Sequence, residues 1–191
     1  MKQSSLTKAA GIVAFLTIIS KILGFVRETS LAAVFGATYA TDAYLVARTI
    51  PYLVFGTISY ALTTTFIPLY SHIRESKGQE AAFRMANTVL FAVGAISIAV
   101  IFFGELVAEY LVMLVAPSYT GQLADLTVYL SRIILPMMVF QLLSGIMTGI
   151  LQAEGEFAVP TAASLVQNIA IIISIVVFGS RYGIGAVAFG T

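Results

Sequence analysis

Four stretches of this chain carry no charged residue: Thr49–Ser71, Met85–Gly104, Ile133–Ala153 and Phe157–Ser180. A helix needs about 20 mostly apolar residues to cross a bilayer, and each stretch is long enough. A fifth apolar run, Ala9–Ser20, continues past Lys21 towards Val26. Inside a bilayer every backbone N–H and C=O must find a partner within the protein, which leaves helices or closed barrels. Barrel strands would show short alternating segments, and none occurs here. The sequence therefore predicts an all-α, polytopic membrane helical bundle.

Composition agrees. Hydrophobic residues make up 59% of the 191 residues and charged ones 10%, against about 25% charged in soluble domains. A net charge of +1 excludes a basic nucleic-acid binder and an acidic disordered chain. With no cysteine and one histidine, disulfides, thiolate metal sites and most metal chemistry are excluded, and no cofactor is expected.

The expected helices run over about Leu6–Phe35, Asp42–Tyr70, Phe83–Leu106, Leu126–Gln152 and Phe157–Phe178, and Gly183–Thr191 reads as the opening of a sixth. The N-terminal stretch does not read as a cleavable signal peptide, because Lys21 and Arg27 interrupt it. Orientation follows from Lys and Arg in the loops. A cytoplasmic N-terminus puts Lys2, Lys8, Arg74, Lys77 and Arg84 inside and only Arg181 outside. The polar segment Ser71–Arg84 reads as a solvated cytoplasmic loop. Glu105–Val115 reads as either an extension of the third helix or an interfacial helix.

The charges within the spans are the informative ones. A charge at mid-bilayer costs about 2.5–3.5 kcal/mol on insertion scales, so it faces protein or a water-filled cavity. The first helix carries Lys21, Arg27 and Glu28; the second begins with Asp42 and carries Arg48. Lys21 and Glu28 share a helix face, and Arg27 is turned about 100° from Glu28. Three cations against two carboxylates leave one positive charge, which suits an anionic ligand. Arginine's planar fork matches phosphate, whereas lysine acts as a point charge. The same residues also admit a structural reading as internal ion pairs and interfacial snorkelers. Asp42 can equally be an N-cap. Arg132 reads as structural and is expected to pair with Asp125, seven residues back on the same face. The turn residues Glu154 and Glu156 have no basic or histidine neighbour in sequence. Pro51 and Pro136 allow bent helices. Gly145 and Gly149 form a GxxxG pattern for close helix contact. Thr63, Thr64 and Thr65 precede Pro68, where hydroxyls can satisfy freed carbonyls.

Three segments together resemble the MurJ/MviN family of lipid II flippases, within the multidrug/oligosaccharidyl-lipid/polysaccharide exporter superfamily. The first is Ser20-Lys21-Ile22-Leu23-Gly24-Phe25-Val26-Arg27-Glu28, continuing through Phe35-Gly36-Ala37 to Thr41-Asp42-Ala43-Tyr44. The second is Tyr129-Leu130-Ser131-Arg132-Ile133-Ile134-Leu135-Pro136. The third is Gly149-Ile150-Leu151-Gln152-Ala153-Glu154-Gly155-Glu156-Phe157, followed by Val159-Pro160 and Asn168. Their order and spacing agree with the family over most of the chain.

The resemblance implies a multi-pass protein of the bacterial plasma (inner) membrane. It implies transport of lipid II, an undecaprenyl-pyrophosphate-linked peptidoglycan precursor, from the cytoplasmic to the outer leaflet by alternating access. Partners would be this anionic lipid-linked substrate and membrane lipids, with no nucleic acid and no catalytic residue. The implied substrate-binding set is Lys21, Arg27, Glu28, Asp42 and Arg48. Residues 1–191 would form the N-terminal lobe of a two-lobe exporter fold, with about five complete helices and the C-terminal lobe missing. Lys21 stands where the family usually has Arg, and Glu28 where Asp is common. The departures are the absence of a basic residue between Pro51 and Arg74, for which Arg48 could substitute, and Pro117-Ser118-Tyr119. A related polysaccharide or sporulation exporter stays open. So does a cation-coupled multidrug exporter, which would want carboxylates at the centres of helices three to five. A lipid-processing enzyme would want clustered Asp, Glu or His at the membrane face.

Overall fold

The computed structural model describes the backbone of residues 2–191 and the side chains of residues 10–191, except Val54, Ser59, Leu62, Thr63 and Met138. The side chains of Lys2, Lys8 and Thr63 therefore lie outside the described residues. The chain is helical almost throughout: α1 Lys2–Phe35, α2 Tyr39–Lys77, α3 Gln79–Val115, α4 Gln122–Ala153 and α5 Ala158–Ile173. A π-helical turn, Ser174–Gly179, carries α5 into α6, Ser180–Tyr182, and α7, Ile184–Phe189, follows. No strand occurs among the described residues. Four segments among them are long and apolar enough to cross a membrane: Ala10–Phe35, Gln79–Val115, Gln122–Ala153 and Ala158–Tyr182. The charge-free run Thr49–Ser71 lies wholly within α2.

Two compact units make up the chain. The first joins residues 1–41 to 155–191 and packs α1 against α5. Polar side chains mark this seam: the hydroxyls of Ser20 and Ser164 lie 2.9 Å apart, and Asn168 Nδ2 donates to the Ser20 carbonyl at 3.4 Å. Small residues admit α7 beside the π-turn. A Cβ added at Gly179 would lie 2.9 Å from Val187 and 3.0 Å from Phe35, and one at Gly190 would collide with Ser174. Ser174 Oγ donates to the Ala186 carbonyl at 2.9 Å.

The second unit, Asp42–Glu154, holds most of α2 with α3 and α4. Buried positions on α3 are Ala82, Ala86, Val93, Ser97, Gly104, Ala108 and Val112. Their spacing of four and seven follows one helix face, and the residues are small. In lipid, where no hydrophobic force drives helices together, small side chains let backbones approach and gain dispersion contacts. A Cβ at Gly104 would sit 3.4 Å from Leu135 of α4. Half of the GxxxG expectation is visible in the same way. A Cβ at Gly149 would lie 3.2 Å from the Phe66 ring of α2, so a larger side chain there would push this ring aside.

The polar segment Ser71–Arg84 is not a loop. It is the last turns of α2 and the first of α3, separated by Gly78 at φ +85° and ψ 169°, a conformation essentially confined to glycine. The sequence reading overweighted charge: Glu75, Lys77 and Glu80 are exposed, but a solvated helix end carries charge as readily as a loop. Glu105–Val115 is the extension of α3, one of the two expected forms. Pro51, Pro68 and Pro136 lie inside continuous helices.

Candidate functional site

In unit one the side chains of Lys21, Arg27 and Glu28 project from α1, two of them exposed and Arg27 half-buried. Arg27 is held from two sides. Its Nη2 lies 2.7 Å from Glu28 Oε1, and its Nη1 donates to Asn168 Oδ1 of α5 at 3.2 Å. Asn168 is itself anchored on Ser20, and Ser164 Oγ donates to the Thr161 carbonyl at 2.7 Å. The guanidinium thus stands at the end of a polar ladder between two apolar helices. Its Nε is buried with no hydrogen-bond partner.

The offset of about 100° between Arg27 and Glu28 does not keep them apart: the long arginine side chain closes the ion pair, as in the internal-pair reading of these residues. Lys21 makes no ion pair among the described residues, so its positive charge is not shared with a carboxylate there. In the sequence Asn168 stands out only as part of a segment that resembles the family. No pattern in sequence alone links residues 27 and 168, because the link is a contact between helices.

In unit two, Asp42 is exposed in the first turn of α2 and Arg48 is half-buried about two turns in. Because α2 starts at Tyr39, Asp42 is not the N-cap. It still sits where the helix dipole favours a carboxylate. Lys21, Arg27 and Glu28 belong to the first unit and Asp42 and Arg48 to the second.

A second cluster in unit two had no sequence signal. Glu154 lacks a basic neighbour in the chain, yet its Oε2 lies 2.8 Å from Arg74 Nη1. The buried Tyr70 hydroxyl donates to Glu154 Oε1 at 3.0 Å, and Arg74 also donates to the Ala153 carbonyl at 3.3 Å. Arg74 and Tyr70 are four residues apart, so one face of α2 presents both to the end of α4. The Arg74 hydrogen bond and charge hold the Glu154 carboxyl below its ordinary value, and the same pair raises Arg74. Both side chains keep about a third of their exposure, so water screens the pair.

Arg132 is also placed differently from expectation. It pairs with Glu105 at 3.9 Å and Glu109 at 3.5 Å on α3, not with Asp125 on its own helix. Interhelical packing of α3 on α4 supplies nearer carboxylates than the same-face residue two turns away. Among the described residues no group of three or more His, Cys, Asp and Glu side chains is arranged to hold a metal ion.

The family model described as "Lipid II flippase MurJ" matches residues 31–191. A probable lipid II flippase MurJ of Rickettsia prowazekii is 29% identical over 92% of this chain and 35% of its own length. The lipid II flippase MurJ of Burkholderia cenocepacia is 30% identical over 82% of this chain and 31% of its own. A solved structure of a lipid II flippase MurJ in an inward closed conformation superposes with TM-score 0.80 at 27% identity. It covers 93% of this chain and 38% of the solved one. The chain thus spans about a third of the length of the curated relatives it matches. With four segments of spanning length among the described residues and a fold shared with that transporter, this multi-pass membrane protein belongs to the MurJ lipid II flippase family.

Proposed function

We propose that the chain forms part of a flippase that moves lipid II from the cytoplasmic to the outer leaflet by alternating access, and that nothing covalent happens during the cycle. The protein lies in the bacterial inner membrane with its N-terminus in the cytoplasm, a placement favoured by Arg74 and Lys77 in the last turn of α2. Lys21, Arg27, Glu28, Asp42 and Arg48 are the proposed substrate contacts. Lys21 supplies a point charge, Arg27 a forked donor for the pyrophosphate, and Glu28 limits the net charge. Asp42 and Arg48 would meet the polar headgroup from α2. No cofactor is needed, because the substrate leaves with the bonds it arrived with.

One observation carries this reading: the arrangement around Arg27. A buried unsatisfied donor costs roughly 1–3 kcal/mol, and a charge within a membrane helix costs more. A purely structural role would be met at lower cost by an apolar side chain. The ladder of Asn168, Ser20 and Ser164 holds the guanidinium in one orientation, as anion recognition requires. The relatives, themselves described as lipid II flippases, support the same reading. Growth of a strain whose wall synthesis depends on this gene tests the reading. Arg27→Ala at the native locus is expected to abolish growth while the protein still reaches the membrane. Normal growth would refute the anion-contact role.

A further inference from the structure

We propose that unit two carries a phospholipid-headgroup site where α3 ends and α4 begins, taking the primary ammonium and phosphate of a phosphatidylethanolamine-type lipid. A cavity of about 450 Å³ opens there, lined by Glu109 and Met113 of α3, Tyr119 of the connecting loop, and Asp125, Tyr129 and Arg132 of α4.

Depth comes first. The charge-free run Met85–Gly104 measures about 30 Å at 1.5 Å per residue, the thickness of the hydrocarbon core. Glu109 then lies about 7 Å beyond Gly104, within the headgroup layer, which adds roughly 5–8 Å on each side. α4 reaches the same level, since Arg132 directly precedes the charge-free run Ile133–Ala153. Both tyrosines suit this interface, where a ring meets acyl chains and a hydroxyl meets water.

The surroundings require an amphiphile. Next to the cavity, Leu106, Tyr110 and Leu114 of α3 are 64%, 74% and 79% exposed, and Met113 in its wall is exposed too. An occupant therefore has an acyl chain on one side and a polar group on the other.

Charge selects the headgroup. The lining holds two carboxylates and one guanidinium. A purely anionic headgroup meets both carboxylates, and a purely cationic one meets Arg132. A zwitterion satisfies both signs, with its phosphate on Arg132 and its ammonium between Glu109 and Asp125. Arg132 has donors to spare, because its pairs with Glu109 and Glu105 are long, at 3.5 and 3.9 Å. A primary ammonium donates three hydrogen bonds to carboxylates, which a trimethylated one cannot do.

Native mass spectrometry of the intact protein with chain-matched lipids tests this. Retention of phosphatidylethanolamine is expected to exceed that of phosphatidylcholine about fivefold. The double variant Glu109→Gln, Asp125→Asn is expected to remove the preference. Glu80→Gln, 88% exposed at the opposite end of α3, is expected to keep it. Glycerophosphoethanolamine, which lacks acyl chains, is expected to bind far more weakly. Equal retention of the two lipids by the unaltered protein would overturn the site, whatever the variants do. An unchanged preference in the double variant would overturn the assigned residues. Equal binding of glycerophosphoethanolamine would overturn a lipid occupant.

Discussion

Arg27 of α1 and Asn168 of α5 are joined by a 3.2 Å hydrogen bond between two membrane helices. Asn168 is a neutral acceptor, so it orients the guanidinium without cancelling its charge. Glu28, 2.7 Å away on the other side, does cancel part of it. Asn168→Ala is expected to weaken lipid II retention in native mass spectrometry roughly three- to tenfold, in line with the net contribution of one typical hydrogen bond. Asn168→Asp keeps the acceptor but sets a second carboxylate beside Arg27. It is expected to weaken retention further, and an equal or stronger signal for Asp would contradict the need for net positive charge.

The Arg74–Glu154 pair gives a pH signature. The pair holds the carboxyl below its ordinary value of 4.5. A depressed folded-state value means that the contribution to stability is fully present above 4.5 and fades as pH falls below it through the folded value. The unfolding temperature of the Glu154→Gln protein in detergent is expected to lie slightly below that of the unaltered protein at pH 7. The effect is small because water screens the pair, and the difference should close on acidification below pH 4.5. A gap that persists at low pH would assign the stabilisation to the Tyr70 contact or to packing.

Gly149 separates helix propensity from packing. Alanine there gains about 0.5–1 kcal/mol of helix propensity, but its Cβ would sit 3.2 Å from the Phe66 ring and 3.5 Å from Ile67. Those effects nearly offset, so Gly149→Ala is expected to leave thermal stability almost unchanged. Gly149→Leu drives several atoms into the same space and is expected to cost about 1–3 kcal/mol. Thermal unfolding of both variants checks this, and a tolerated leucine would contradict the close α2–α4 contact.

The sequence made the spans legible because charge and apolar length are local properties, and α4 ends at Ala153, one residue past the expected boundary. It misjudged Ser71–Arg84 because a single glycine, Gly78, turns the chain there while helix continues on either side. Partners across helices were the least legible. Arg132 looked to Asp125 along its own helix but meets Glu105 and Glu109 on the next. Glu154 looked isolated and meets Arg74, distant in sequence. Same-face spacing constrains which residues share a helix side, whereas only packing decides what stands opposite. For the same reason Arg27 was legible as a candidate, and its anchor Asn168 was not.

The central claim is that the cations of α1 hold the anionic headgroup, and lipid II retention by the Lys21→Ala, Arg27→Ala double variant measures it most directly. Native mass spectrometry of the intact protein is expected to show retention reduced at least about tenfold, the loss of two charge-assisted contacts. Retention equal to that of the unaltered protein would contradict it.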